Sequence, residues 1–381
     1  MTGMKTLLFT LEYPPFHGGV ASYYGNIVKF WPLRQAPFGT AQDAQGEPPV
    51  DPMLVLHNND HRLINNRLPI LKWLPAIFEL NKKIKQGHID HVLVGHILPL
   101  GTAAMILKLL TGISYSVFIH GTDLNMAQTK PRRRWLARRI LAGAEHIICN
   151  SSFAGKLAET FIGASAKIKI VNPGIEPGHA SDTKTLENLK TRYGLADKVV
   201  LLTVGRLVSR KGIDKVLESM PIALQRIPNL FYAIIGNGPD LASLKSQISN
   251  YLLDKSAAII TDATDEERDA WYDLCDVFVL AGRQIEGDVE GFGIVYLEAG
   301  VHGKPVIAGD TGGVRDAVVD GLSGLVIDAT NAENIAGAIV RLAADQALRG
   351  SLGEQGRARA LDEFNWQRQA KKIYDIISDG N

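Results

Sequence analysis

The chain has 381 residues, of which 46% are hydrophobic and 21% are charged. That length is too great for one small core and suits two domains of ordinary size. The 41 lysines and arginines balance 40 aspartates and glutamates, so the basic footprint of a nucleic-acid-binding protein is absent. No apolar run approaches the length needed to span a membrane.

The cysteines and the N-terminal segment indicate a compartment. Cys149 and Cys275 each stand in an apolar run, and we expect them to be small core residues in a reducing environment. The apolar run that follows Lys5 ends at Glu12, which is too short for the core of a signal peptide. We therefore expect a cytoplasmic protein, and association with the inner face of the cell membrane stays open.

Short β-branched runs alternate with helical patterns along the chain, which is typical of parallel sheets flanked by helices. The predicted strands of the first half are Thr6–Leu11, Met53–His57, His91–His96, Tyr115–His120, His146–Asn150 and Lys167–Val171. Those of the second half are Val199–Gly205, Phe231–Gly236, Ala257–Thr261, Val277–Ala281, Pro305–Ala308 and Gly324–Ile327. The predicted fold class is α/β, with two Rossmann-like domains.

A proline and glycine cluster at 172–178 marks the predicted domain boundary, because it precedes a polar stretch and a new helix from Thr183. The predicted parts are an N-terminal domain, a linker, a C-terminal domain and a final helix with an apolar stripe. Their bounds are 1–172, 173–183, 184–362 and 363–381. The segment Pro32–Pro49 lacks periodicity and is predicted to be a long loop.

Each predicted domain carries a turn suited to phosphate. Gly18 and Gly19 lie between the first strand and the helix Val20–Trp31, where a Gly-Gly pair lets backbone N–H groups approach an anion. Arg206 and Lys211 lie on opposite sides of a turn after the strand that starts at Val199, where they could clamp a diphosphate. The alternatives are a simple tight turn and a solvated basic loop.

The most informative motif is the pair Glu290 and Glu298, which flank a glycine-rich turn that opens into a predicted helix, Phe292–Val301. Gly291 and Gly293 would let the backbone approach a diphosphate at the positive end of the helix dipole. The spacing of the two acids matches the reach from a sugar ring to a ribose. The alternative is a helix cap followed by an ordinary core-facing helix.

His120 follows a predicted strand and stands before Gly121 and Asp123. A histidine in this position could be a general base, a metal ligand or a packed polar residue that its neighbour hydrogen-bonds. The sequence alone leaves these three roles open.

Together these features resemble the retaining glycosyltransferases of family 4, which have the GT-B fold. The resemblance spans nearly the whole chain, from Leu11 to the helix containing Trp366. It lies closest to the branch with bacterial phosphatidylinositol mannoside mannosyltransferases, which use GDP-mannose. The motifs that carry it are Pro14-Pro15-Phe16-His17-Gly18-Gly19, His120-Gly121-Thr122-Asp123, Arg206 with Lys211, and Arg283 through Glu290 to Glu298.

The resemblance implies two Rossmann-like domains facing across a cleft, with the C-terminal helix crossing back to the first domain. It also implies a role for each candidate residue. Arg206 and Lys211 would neutralise the leaving diphosphate, and Gly18 and Gly19 would touch it. Glu290 would bind sugar hydroxyls, together with the backbone of Gly291, Phe292 and Gly293, and Glu298 would bind the ribose. His120 would face the transferred sugar, and Asp288 would shape the donor end of the site.

The function expected from the resemblance is transfer of a hexose, with mannose from GDP-mannose as the first candidate, to a hydroxyl of a glycan, glycolipid or lipid-linked acceptor. No protein nucleophile, tightly bound cofactor or catalytic metal is implied. The alternatives are a UDP-sugar transferase of the same family, a nucleotide-sugar epimerase and a non-catalytic sugar-nucleotide-binding partner. The oligomeric state is left open.

A basic segment at 130–141 has a second possible meaning. With helical spacing, Arg134 and Arg138 share one face and Leu136 and Ile140 another. Such a helix can rest on an anionic membrane surface, although a surface helix packed by its apolar side explains the pattern as well. The patch at 71–75 is similarly suggestive.

Overall fold

The computed structural model describes residues 4–16, 18–32, 53–65, 71–178 and 180–379. The chain forms two compact units. The first unit contains Met1–Gly174 and Trp366–Asn381, and the second unit contains Ile175–Asn365. The predicted loop at Pro32–Pro49 lies almost entirely outside the described residues.

The first unit is built on a parallel sheet. Its strands are β1 (Thr6–Phe9), β2 (Leu54–Leu56), β3 (His91–Val94), β4 (Ser114–Ile119), β5 (Ile147–Cys149) and β6 (Ile168–Ile170). The described strands follow the order β2-β1-β3-β4-β5-β6 in the sheet, and Leu8 of β1 stands beside Val55 of β2 and Leu93 of β3. The helices are α1 (Gly19–Lys29), α2 (Leu74–Gly87), α3 (Leu100–Thr111), α4 (Thr122–Gln128), α5 (Pro131–Gly143) and α6 (Ser152–Ile162).

The second unit repeats this architecture on a second parallel sheet. Its strands are β7 (Val199–Val204), β8 (Leu230–Ile235), β9 (Ala257–Ile260), β10 (Val277–Leu280), β11 (Val306–Gly309) and β12 (Gly324–Ile327). The described strands follow the order β12-β11-β10-β7-β8-β9 in the sheet. Its helices are α7 (Thr183–Tyr193), α8 (Ile213–Leu224), α9 (Leu241–Asn250), α10 (Asp265–Leu274), α11 (Ile294–Val301), α12 (Val314–Ala317), α13 (Ala332–Ala344) and α14 (Gln346–Glu363). A 3₁₀ turn covers Ser209–Lys211.

The central strands are buried along their whole length and are almost entirely apolar, which explains both sheets. Every residue of β1, β3, β8 and β10 is buried, as expected of parallel strands covered by helices on both faces. Each sheet therefore has a core on either side of it, and the helices bury one apolar stripe each. The α/β class predicted from the sequence is confirmed.

The last helix, α15 (Trp366–Ser378), packs within the first unit although it follows the second along the chain. Its apolar stripe, Trp366, Ile373 and Ile377, is buried with Tyr23 and Ile27 of α1 in one hydrophobic cluster. A helix with one apolar face must bury that face against another element. The chain thus begins and ends in the first unit.

The observed elements follow the predicted ones with small differences at their ends. The predicted strands are one or two residues too long in most cases, because residues next to the strand ends belong to the loops. Helix α11 begins at Ile294, not Phe292, since Gly293 has a left-handed backbone with φ 87° and acts as the N-cap. Cys149 and Cys275 are buried free thiols, as predicted for core residues.

Candidate functional site

The second unit has a topological switch point between β7 and β10. These strands are neighbours in the sheet, and the chain runs from β7 to one side and from β10 to the other. Ligands of open α/β sheets bind where the loops at the carboxyl ends of two such strands diverge. Here those loops are 205–212 and 281–293, and they carry most of the predicted donor-binding residues.

Backbone contacts bring these two loops together. The backbone N–H of Arg283 donates to the carbonyl of Arg210 over 2.9 Å. Gly212 has φ 70°, and a Cβ atom there would lie 1.7 Å from the carbonyl oxygen of Ala281. Only glycine permits this approach, so the backbone of the first loop lies directly against the second.

Four charged side chains from the two loops form what we call the ionic cluster: Arg210, Lys211, Asp288 and Glu290. Lys211 Nζ lies 2.5 Å and Arg210 Nη1 2.9 Å from the same atom, Oε2 of Glu290. Arg210 Nε lies 3.0 Å from Asp288 Oδ2. The side chains of Lys211 and Glu290 are only 10% and 12% exposed, so this pair is largely shielded from solvent.

The electrostatics of the ionic cluster keep Glu290 charged. Burial acts to raise the pKa of this carboxyl, but the cations of Lys211 and then Arg210 outweigh it, so the pKa lies below its ordinary value. Glu290 is therefore an ionised hydrogen-bond acceptor at neutral pH. This is the state in which a carboxylate binds sugar hydroxyls.

Arg206, the other predicted diphosphate cation, lies outside the ionic cluster. It is exposed on the loop after β7, and no ion pair joins it to another described residue. The structure thus separates the two predicted cations. Lys211 is already paired with a carboxylate, whereas the guanidinium of Arg206 faces solvent.

Glu298 lies on α11, in the helix that begins at Gly293. Its Oε2 accepts a hydrogen bond of 2.7 Å from the hydroxyl of Tyr272 on α10. The ring of Tyr272 is stacked on His302, with ring centroids 5.4 Å apart. Tyr272 is buried, so its hydrogen bond fixes the position of the half-buried Glu298 carboxylate from the core side.

The glycine turn between the two acids is held by packing on its apolar side. The side chain of Phe292 is buried and its ring centroid lies 5.8 Å from that of Phe364. Its predicted contact with a donor can therefore involve only the backbone. The backbone carbonyl of Glu290 accepts from Gly313 N over 2.9 Å. Gly291 follows as a half-buried bend and Gly293 caps α11.

Arg283 forms a second link between elements of the switch point. Its guanidinium makes two hydrogen bonds, of 2.8 and 2.6 Å, to the two carboxylate oxygens of Asp214 in the first turn of α8. Such a bidentate pair fixes orientation as well as charge. The loop after β10 is thus tied to α8 by this pair and to the 3₁₀ turn by Arg210.

The first unit has its own switch point, between β1 and β3, which are adjacent in the sheet while the chain leaves them in opposite directions. A cavity of about 470 Å³ opens there, and we call it the histidine cavity. Its ionisable lining residues are Glu12, Lys72, His96, His120, Asp123 and Arg133.

His120 is held as a neutral hydrogen-bonding group in this cavity. The Tyr24 hydroxyl donates to the carbonyl of Gly95 over 2.5 Å and lies 2.8 Å from His120 Nε2. Because the Tyr24 hydroxyl uses its only proton in the bond to Gly95, Nε2 of His120 is protonated and donates to the oxygen of Tyr24. Burial, and next the neighbouring His96, lower the pKa of His120 to about 3. His120 is therefore uncharged at neutral pH.

His96 and Asp123 complete the polar lining, and His96 was not among the predicted residues. Nδ1 of His96 accepts from the backbone N–H of Leu11 over 3.4 Å, and burial lowers its pKa to about 4. Burial raises the pKa of Asp123 to about 6, against the opposing hydrogen bond from Leu124 N. Beside Lys72 and Arg133, the cavity therefore offers neutral imidazoles and a weakly acidic carboxyl, which suit hydroxyls.

The predicted pair Gly18 and Gly19 lies at the start of α1. Gly18 is the N-cap with an extended backbone, and Gly19 is the first helical residue. No atom of the described residues lies within 4 Å of a Cβ built on Gly19, so the space next to it is open. The site roles assigned to this pair remain predictions, as do those of the other candidate residues and the expectation that no catalytic metal is needed.

Helix α5 contains the predicted basic segment. Ala137, Ile140 and Leu141 are buried, so its apolar side packs in the core. Its outer side borders a groove of about 680 Å³ that Phe161 and Ile162 of α6 also line. The lining residues from α5 include Arg134, Trp135, Arg138 and Arg139. Among the described residues, no helix combines the length and apolar character needed to cross a membrane.

Two family models match the chain, one over each unit. Glycosyltransferase Family 4 matches residues 18–179, and Glycosyl transferases group 1 matches residues 187–359. With the paired sheets and the switch-point loops, these matches define an enzyme, a glycosyltransferase with the GT-B fold. More particularly, the chain belongs to the family 4 and group 1 glycosyltransferases, which confirms the resemblance seen in the sequence.

Curated relatives cover nearly the whole chain. Over 381 residues, 98% of each chain, it is 29% identical to the GDP-mannose-dependent alpha-(1-6)-phosphatidylinositol monomannoside mannosyltransferase of Mycolicibacterium smegmatis. A Corynebacterium glutamicum protein, described as a GDP-mannose-dependent monoacylated alpha-(1-6)-phosphatidylinositol monomannoside mannosyltransferase, is 26% identical over 98% of this chain and 97% of its own. The expected class of enzyme is therefore confirmed.

Solved structures share the fold. HepE of Anabaena, crystallised with UDP, superposes with a TM-score of 0.78 at 18% identity, over 99% of this chain and 100% of that chain. Sucrose-phosphate synthase of Thermosynechococcus elongatus superposes with a TM-score of 0.77 at 19% identity, over 99% and 98%. At such identities the likeness establishes the GT-B fold alone.

Proposed function

We propose that this enzyme transfers mannose from GDP-mannose to a hydroxyl of a glycolipid acceptor, with retention of configuration. The observation that carries this proposal is the ionic cluster at the switch point of the second unit, with Glu298 on the adjoining helix. The relatives that match this chain over nearly its full length are described as GDP-mannose-dependent, and that supports the choice of donor.

In this proposal the second unit binds the nucleotide end of the donor. Lys211 and the exposed Arg206 neutralise the diphosphate, whose charge increases as the bond to the sugar breaks. Glu298, fixed by Tyr272, accepts hydrogen bonds from ribose hydroxyls. Glu290, kept ionised by its two cations, accepts hydrogen bonds from hydroxyls of the sugar.

The first unit supplies the acceptor site. The histidine cavity presents His96 and His120 as neutral groups, and neutral imidazoles can both donate to and accept from hydroxyls. His120 is proposed to bind a hydroxyl of the transferred sugar, next to the acceptor. Glu12 and Asp123 add carboxyl oxygens beside them. We assign no protein nucleophile, and a donor phosphate oxygen is expected to take the proton of the acceptor hydroxyl.

A donor screen tests this function directly. Thermal shift with GDP-, UDP-, ADP- and dTDP-sugars is expected to show stabilisation by GDP-mannose above the others, since only a bound ligand raises the midpoint. Transfer to a phosphatidylinositol-based glycolipid, followed by NMR of the anomeric proton, is expected to give an α-mannoside. Preference for a UDP-sugar, interconversion of free sugar nucleotides, or binding without turnover would each replace the proposal with a different function.

We also propose that α5 lays the enzyme on an anionic membrane surface, where a glycolipid acceptor resides. The exposed arginines at 132–134 and 138–139 and the 59% exposed Trp135 combine charge with an interfacial aromatic ring. Flotation with phosphatidylglycerol vesicles is expected to recover the wild type, and the double variant Arg134→Glu and Arg138→Glu is expected to sediment. Arg226→Glu with Arg341→Glu, exposed arginines of the second unit, makes the same charge change and should still float.

A further inference from the structure

Arg210 is the cation of the ionic cluster that binds no part of the donor in the proposed function. It directly precedes Lys211 in the 3₁₀ turn, and both side chains reach Oε2 of Glu290. One carboxylate oxygen is thus shared by two cations. Of the two, only Lys211 binds the donor diphosphate in the proposed reaction.

The charge balance shows why a second cation is needed. The ionic cluster contains two cations and two carboxylates, so it is neutral before any ligand binds. When a diphosphate draws the ammonium of Lys211, the attraction between Lys211 and Glu290 weakens. A largely buried carboxylate without a counter-ion is costly, so Glu290 then depends on Arg210.

The geometry of Arg210 suits this task. Its guanidinium spans two carboxylates of one loop, with Nη1 on Glu290 and Nε on Asp288. A rigid planar fork can hold both at once, whereas a lysine is a single point charge. The main chain of Arg210 is also fixed, because its carbonyl accepts from Arg283 N.

We propose that Arg210 is a positioning residue for the donor sugar: it holds Glu290 and Asp288 in place while Lys211 binds the donor diphosphate. This inference rests on the proposed function, since it takes the diphosphate as the ligand of Lys211. Arg210 itself makes no contact with the sugar in this scheme. Among the described residues, Lys211 and the hydroxyl of Tyr296 on α11 also interact with the Glu290 carboxylate, and Asp288 is linked to it by their shared partner Arg210.

Kinetics over pH 4 to 9 test this role with three variants. Arg210→Gln removes the charge, Arg210→Lys keeps the charge without the fork, and Arg192→Gln, an exposed arginine of the same unit paired with Glu267, is the control. We expect Arg210→Gln to lower kcat/KM about ten- to a hundredfold at pH 7. The control should match the wild type.

The pH profile separates positioning from a merely structural role. Loss of the cation raises the pKa of Glu290 in the donor complex, so the acid limb of kcat should move to higher pH by about one unit in Arg210→Gln. Arg210→Lys should return that limb to its wild-type position. A uniform loss of activity without a displaced limb, or a limb that lysine does not restore, overturns the proposal.

The kinetic comparison uses whichever nucleotide sugar supports turnover, so failure of GDP-mannose as donor leaves the test of Arg210 intact. If no donor is turned over, the pKa of the Glu290 carboxyl is measured by ¹³C NMR with GDP bound. We expect a higher pKa in Arg210→Gln than in the wild type and in Arg210→Lys. Equal values in the three proteins overturn the proposal.

Discussion

The two units place their candidate sites at the same position of the same sheet topology, yet they stabilise polar groups in different ways. In the second unit, charged side chains compensate one another, as Lys211 and Arg210 do for Glu290. In the first unit, burial keeps His96 and His120 neutral. The second unit's switch point thus holds charges that pair with one another, and the first unit's switch point holds two neutral imidazoles.

This difference fits the two substrates of a glycosyltransferase. A site of paired charges can exchange a partner when an anion arrives, which suits the diphosphate of a donor. Neutral imidazoles can both donate to and accept from hydroxyls, so the histidine cavity suits a ligand that carries several hydroxyls. The difference therefore supports the proposed binding of the donor by the second unit and of the acceptor hydroxyl by the first.

Removal of Lys211 should give the largest effect that the comparison predicts. Lys211→Ala is expected to lower kcat/KM about 10²- to 10³-fold, because the leaving diphosphate loses its buried cation. Glu290 remains paired with Arg210, so the fold should persist. Steady-state kinetics with the donor identified in the screen measures the change.

The matched control for this prediction is Lys215→Ala. Lys215 follows closely in the chain and pairs with Glu218 on the surface of α8, 2.7 Å away. Its loss should leave kcat/KM unchanged. Equal kinetics in the Lys211 and Lys215 variants, with the same melting temperature, would remove the diphosphate role of the ionic cluster.

A change at Glu298 should have a smaller effect, limited to binding. Glu298→Gln keeps an oxygen that accepts from Tyr272 and removes the charge, so the affinity for GDP is expected to fall about tenfold. Calorimetry measures this loss. With 2′,3′-dideoxy-GDP the wild type and the variant should bind alike, since the ribose hydroxyls are absent. A loss of equal size with both nucleotides would contradict the ribose contact.

Much of the fold could be predicted because it depends on local patterns. The β-branched runs locate the strands to within one or two residues. Helix α11 begins two residues later than predicted because Gly293 has a positive φ. Less of the candidate site could be predicted from the sequence. Arg210 and Lys211 are adjacent charges, and nothing in the pattern shows that a 3₁₀ turn directs both to Glu290.

The partners that fix the site residues come from distant elements. Tyr272 and Glu298, and likewise Asp214 and Arg283, are joined by folding and not by any periodic spacing. His96 could have been predicted, since it follows β3 at the edge of the sheet where the chain leaves β1 and β3 in opposite directions. A search for histidines at the carboxyl ends of strands would have found it beside His120.

The last prediction concerns stability, and it separates the two units by pH. Burial lowers the pKa of His91 to about 4, and His96 and His120 behave alike, against an ordinary value of 6.5. The unfolded chain therefore binds more protons below pH 6.5, and the first unit loses stability as the pH falls from there towards 4. Each such histidine contributes up to about 1.4 kcal/mol per pH unit.

Two groups modify this expectation. Asp123, with its pKa raised to about 6, gains a proton in the folded state and offsets part of the loss below that pH. In the second unit the pKa of Glu290 is lowered from 4.5, so its stabilising effect is lost only as the pH falls below that value. Hydrogen exchange of backbone amides at pH 7, 6 and 5, corrected for intrinsic rates, should show protection falling first in the first unit. His91→Gln should reduce this slope, and equal loss of protection in both units would contradict the contrast between neutral and paired groups.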